Sequence, residues 1–98
     1  MAHILIAEDE EVINTLIAKN LTMVGHKVYQ TFTGTDTLKA INENEFDLAL
    51  LDVMMPELDG LEACMRIREF SNVPIIMLTA RSEDADKLMG FECGADYY

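Results

Sequence analysis

The sequence predicts an α/β domain built on a doubly wound parallel sheet of strand order 2-1-3-4-5. Two observations lead there. Short apolar runs alternate with segments whose apolar residues recur three and four apart; this β-α-β-α order implies right-handed crossovers and a parallel sheet covered on both faces. The run Leu48-Ala49-Leu50-Leu51 is closed by Asp52 and followed by Pro56 and the turn residues Glu57-Leu58-Asp59-Gly60. It reads as a central strand buried on both faces that ends on a carboxylate. In an open α/β sheet that end of a strand faces the ligand crevice.

The first strand is the apolar run His3 to Ala7, followed directly by Glu8-Asp9-Glu10-Glu11. A helix comes next, with Val12 and Leu16, Ile13 and Ile17, and Ile17 and Leu21 spaced i,i+4 in one apolar stripe. Gly25 stops it. Lys27 to Thr31 is the second strand, with Val28 and Tyr29 as β-formers. Thr33-Gly34-Thr35 turns the chain into a second helix whose inner face is Leu38, Ala40 and Ile41. Phe46 to Asp52 is the third strand. Asp59, with Glu62 three residues on, makes a capping-box pattern for a third helix that should bury Leu61, Met65, Ile67 and Phe70. After a Ser71-Asn72 loop, Val73 to Leu78 is the fourth strand, with Pro74 tolerable near its start. Ser82 can cap a fourth helix that turns Ala85, Leu88, Met89 and Cys93 inward and ends at Gly94. Ala95 to Tyr98 opens a fifth strand.

The 98 residues suffice for one domain, and half of them are apolar, enough for a modest core. The 18 acidic and 7 basic residues give a net charge of −11, which repels nucleic acid and anionic membrane. No apolar run approaches the roughly 20 residues of a membrane helix, and the first residues lack the basic segment of a secretory signal. Cys64 and Cys93 lack metal-type spacing and read as small reduced residues, which suits the cytoplasm.

Three strand ends line up. The first supplies Glu8 and Asp9, the third Asp52, and the fourth Thr79-Ala80. In the order 2-1-3-4-5, strands 1 and 3 are neighbours at the switch point, so the three carboxylates share a pocket. Crowded carboxylates raise one another's pKa, and a hard divalent cation relieves them; Mg²⁺ takes a few carboxylates plus waters. A carboxylate beside Mg²⁺ can attack phosphorus to give an aspartyl phosphate. Each residue also has an ordinary reading: Asp52 as a turn cap, Glu8 to Glu11 as an acidic first turn, Thr79 as a strand-end hydroxyl. The joint occurrence is what points to a site. A flavin phosphate after strand 1 would need a Gly-, Ser- or Thr-rich loop, and this loop is acidic.

Ile6-Ala7-Glu8-Asp9-Glu10, Leu50 to Pro56 with Asp59-Gly60, Leu78-Thr79-Ala80 and Gly94-Ala95-Asp96 resemble the receiver domain of two-component response regulators, across the whole chain. The stretch Thr79 to Asp96 is most similar to receivers that precede a winged-helix DNA-binding domain. The resemblance implies a flavodoxin-like fold and a phosphoacceptor, Asp52, charged by a histidine kinase or phosphotransfer protein. It implies Mg²⁺ (or Mn²⁺) held by Asp9, by Asp52, by the Met54 carbonyl and, through water, by Glu8. Thr79 and Ala80 would meet the phosphoryl group, and Tyr98 matches the aromatic switch position. The family's lysine lies beyond Tyr98, so the chain reads as a receiver truncated within strand 5 and lacking the last helix, either a fragment of a longer protein, the favoured reading, or a shortened receiver. Arg81, two residues past Thr79, is a possible substitute for that lysine. With strand 5 cut short, the uncharged fourth strand is expected either to pair with another chain, as a homodimer or by looser edge association, or to leave the domain only marginally stable. Other functions stay open: a pseudo-receiver that binds protein without phosphorylation, favoured by the missing lysine, and an aspartate-nucleophile phosphohydrolase, disfavoured by Met54 where its general acid would stand.

Overall fold

Parallel pairing places four strands in the order β2-β1-β3-β4, the order expected for the first four. The computed structural model describes residues 1–52, 55 and 60–78. The elements are β1 (His3–Ala7), α1 (Glu11–Met23), β2 (Lys27–Thr31), α2 (Gly34–Glu43), β3 (Leu48–Asp52), α3 (Gly60–Ile67) and β4 (Ile75–Leu78). The expected fourth helix from Ser82, with Ala85, Leu88, Met89, Cys93 and Gly94, and the strand from Ala95 lie outside the described residues, as do the Asp59 cap, the Leu61 side chain and any edge beyond β4.

The first two strands have the predicted bounds. β3 begins at Leu48 rather than Phe46, whose ring lies tilted against His3 at 4.5 Å between centroids and edge-on to Tyr29 at 5.8 Å. β4 begins at Ile75 rather than Val73; Pro74 has no N–H for the ladder, though its carbonyl accepts from the Ala49 N–H at 2.9 Å.

Strand order reverses between β1 and β3, so right-handed crossovers send α1 to one face and α2 and α3 to the other. On the α2/α3 face the register aligns Leu5 with Ala49 and Ile75, and Ala7 with Leu51 and Met77. These residues join Ala40, Ile41, Met55, Cys64 and Ile67 in one buried cluster, with Leu38 packed against it. On the other face Ile4 and Ile6 are buried, but Leu48, Leu50, Ile76 and Leu78 are only half-buried. The expectation of a β3 buried on both faces is therefore met on one face only: among the described residues, α1 is the helix on that side, and it packs against β1 and β2.

Two helix faces are corrected. In α1 the buried residues are Asn14 and Ala18, with Ile17 and Leu21 half-buried, while Val12 is 80% and Leu16 59% exposed. The inward stripe runs 14, 17, 18, 21, and the Val12, Ile13 and Leu16 positions rotate outward. In α3, Ala63, Cys64 and Ile67 are buried, whereas Met65 is 56% and Phe70 47% exposed. Met65 points away from the 63/64/67 stripe, and Phe70 lies beyond the helix end.

Local chemistry sets the turns that aim the strands. Gly25 has φ of 98°, a conformation that L side chains rarely adopt, and its N–H donates to the Thr22 carbonyl at 3.0 Å, closing α1. The Thr33 hydroxyl caps α2 by accepting from the Asp36 N–H at 3.1 Å.

Candidate metal and phosphoryl site

The site is the consequence of register. Ala7 pairs with Leu51, so the next residue on each strand, Glu8 and Asp52, emerges side by side where the apolar rows stop. Asp9 follows in the loop before α1. Carboxylate oxygens of Glu8, Asp9 and Asp52 all lie within 4.8 Å of one another. Glu8 and Asp52 are buried, at 7% and 9% exposure, and Asp9 is half-buried. The crevice opens between β1 and β3, where the chain crosses one way to β2 and the other way to β4.

Such crowding has an electrostatic cost, and it shows at Glu8. Its carboxyl is pushed up from the ordinary 4.5 to about 7. Burial away from water is the largest cause; the Glu10 N–H, which donates to Glu8 Oε2 at 3.1 Å, pulls the other way; the neighbouring Asp9 and Asp52 carboxylates raise it further. Three hard oxygen donors, two of them buried and one made reluctant to ionise, fit a divalent cation of the Mg²⁺ type: such an ion takes a few carboxylates and completes its shell with water. The sequence expectation that Glu8, Asp9 and Asp52 converge is thus borne out in space. Met54, Thr79, Ala80, Arg81 and Tyr98 lie outside the described residues.

The pattern reading missed the polar support under this loop. Asn14, wholly buried, lies beneath the Glu8 backbone, and Thr31 and Thr37 share a hydroxyl hydrogen bond at 2.8 Å beside it. The available signal was a polar residue at the head of the i, i+3, i+4, i+7 set 14, 17, 18, 21.

Residues 4–98 match the family described as the response regulator receiver domain. The chain belongs to that family. Over 98 residues it is 46% identical to the transcriptional regulatory protein AfsQ1 of Streptomyces coelicolor, covering 100% of this chain and 44% of that regulator. It therefore spans less than half the length of this relative. Among solved structures, the BeF3-activated N-terminal receiver domain of Klebsiella pneumoniae RstA superposes with a TM-score of 0.94 at 32% identity, covering 98% of this chain and 82% of that one. The response regulator TrrA of Thermotoga maritima, in complex with Mg²⁺ and BeF, superposes with a TM-score of 0.89 at 33% identity, covering 100% and 84%. The receiver reading of the residues and the strand order agree with all of these. No helix among the described residues is long and apolar enough to cross a membrane.

Proposed function

We propose that this receiver domain is a phosphoacceptor that takes a phosphoryl group from a histidine kinase or phosphotransfer protein onto Asp52, in the cytoplasm, as the input portion of a longer transcriptional regulator. The observation that carries the reading is the triad of Glu8, Asp9 and Asp52 oxygens within 4.8 Å at the C-terminal ends of β1 and β3. Asp9 would ligate Mg²⁺ (or Mn²⁺) directly and Glu8 through water, with Asp52 and the Met54 carbonyl completing the protein's share. When bound, the ion supplies positive charge against the incoming phosphoryl group.

The remaining work falls to the chain's own residues. One Asp52 oxygen attacks phosphorus; the bond from phosphorus to the donor's imidazole nitrogen breaks, and the imidazole leaves with that electron pair. Burial strips water from Asp52, which favours attack over idle hydration. Glu8 gives up its proton as the site loads. Thr79 and Ala80 are assigned to contact the transferred oxygens, Tyr98 to respond to them, and Arg81 to stand in for a cationic partner. That the similar RstA receiver domain is BeF3-activated and TrrA is in complex with Mg²⁺ and BeF supports a metal-dependent phosphoacceptor reading here.

Incubation with acetyl phosphate and Mg²⁺, read by intact mass, tests the assignment. The parent chain gains one phosphoryl group, chelation of the metal prevents it, and Asp52→Asn abolishes it. An Asp52→Asn variant that labels like the parent, or a parent chain that binds Mg²⁺ yet never labels, would overturn the phosphoacceptor reading; the second result would favour the protein-binding pseudo-receiver.

A further inference from the structure

Asn14 occupies a fully buried position on α1 that an ordinary amphipathic helix gives to an apolar residue. Its side chain is fully engaged. Nδ2 donates to the Glu8 carbonyl at 3.0 Å and to the Thr31 carbonyl at 2.8 Å, while Oδ1 accepts from Gln30 Nε2 at 2.9 Å. Two carbonyl acceptors dictate that amide orientation, since reversing it would set oxygen against oxygen. The Thr31 carbonyl also accepts the Glu8 N–H at 3.1 Å, and Asn14's own backbone N–H donates to the Glu10 carbonyl at 2.9 Å. One residue therefore ties down both neighbours of Asp9, Glu8 through its side chain and Glu10 through its backbone.

Burying an amide costs free energy that a leucine at this position would not incur. Packing of α1 does not need the amide; the loop does, because the Glu8 carbonyl sits where a helix side chain can reach it. We propose that Asn14 is a positioning residue for the divalent-metal site: its amide fixes the Glu8 backbone, and with it the directions from which Glu8 and Asp9 present their carboxylates toward Asp52. This rests on the reading of the acidic cluster as a cation site. Partners that orient metal-ligating groups typically contribute about 10–100-fold in affinity. Asn14 acts through backbone, so the lower end, about tenfold, is expected.

Calorimetric Mg²⁺ titration of the chain, paired with urea melts that establish the folded fraction, tests this. Asn14→Leu keeps the length and branching of the side chain, raises helix propensity and removes the amide donors. Gln30→Met removes only the group that holds the Asn14 amide, at an exposed position of β2 where folding is less at risk. Thr31→Val is the structural control: it deletes the hydroxyl bonded to the Ile6 carbonyl and to Thr37 but leaves the Thr31 carbonyl in place. Asn14→Leu should weaken Mg²⁺ about tenfold and Gln30→Met by about twofold or more; Thr31→Val should lower the urea midpoint with Kd unchanged. If Asn14→Leu does not fold, Gln30→Met decides. Wild-type Mg²⁺ affinity in the folded variants, or an equal loss in Thr31→Val, overturns the positioning role alone. A parent chain that binds no Mg²⁺ overturns it together with the proposed function.

Discussion

Glu8 is where the energetics of the site reduce to a single titration. In the folded protein its carboxyl holds a proton up to about 7, whereas in the unfolded chain it ionises near 4.5. Between those values the native state binds the extra proton, so stability falls as pH rises, by at most about 1.4 kcal/mol per pH unit from this group. Below 4.5 both states are protonated, and above about 7 the full penalty is in place. Glutamine cannot ionise, so Glu8→Gln should gain on the parent steadily across that window when no divalent ion is present. Urea midpoints of the two proteins at several pH values check this; a constant gap would mean that Glu8 titrates normally. The acids were legible jointly rather than singly: Asp52 alone reads as a turn cap and Glu8 with Asp9 as an acidic first turn, but the strand order sets all three at neighbouring strand ends. Asn14 was not legible: hydropathy scores it as a surface residue, and only the positions of two backbone carbonyls explain why it is buried.

At the scale of elements, strands were read more truly than helix faces. A strand such as Ile4 to Ala7 is apolar on both sides, so its burial survives any error of phase. A helix has a direction, and in α1 the apolar Val12, Ile13, Leu16, Ile17 and Leu21 spread over a wide arc; the fold kept Ile17 and Leu21 toward the sheet, turned Val12, Ile13 and Leu16 outward and brought Asn14 and Ala18 in. The inward face carries Asn14, whose amide meets the carbonyls of Glu8 and Thr31, contacts that periodicity does not contain. The same reasoning separates two substitutions by magnitude. Leu16, at 59% exposure, should tolerate serine at a cost within about 1 kcal/mol, mostly helix propensity. Ile67, fully buried between α3 and the sheet, should cost about 2–5 kcal/mol as alanine, through lost transfer energy and the cavity left behind. Denaturant melts of Leu16→Ser and Ile67→Ala measure both; a large loss at Leu16 would restore the original phase for α1.

For the whole molecule, the acidic site is one part of a chain carrying a net charge of −11. Any salt relieves such general repulsion, so stabilisation by Mg²⁺ is informative only against a monovalent salt of equal ionic strength. Under that comparison a cation held by Glu8, Asp9 and Asp52 binds the folded state alone, because only folding brings strand ends 44 residues apart into one pocket. Linkage then adds RT ln(1 + [Mg²⁺]/Kd), about 2.7 kcal/mol at a concentration 100 times Kd. Asp52→Asn acts on the same balance from the other side. It removes one of three crowded carboxylates, lets Glu8 ionise nearer its ordinary range, and so should raise the metal-free urea midpoint above that of the parent. It should also erase most of the Mg²⁺ increment, since the ion loses a central ligand. The two proteins are therefore expected to exchange rank: the variant is the more stable without divalent metal, and the parent catches up or overtakes it as Mg²⁺ rises. Parallel curves that respond only to ionic strength would mean that the three carboxylates meet without holding an ion.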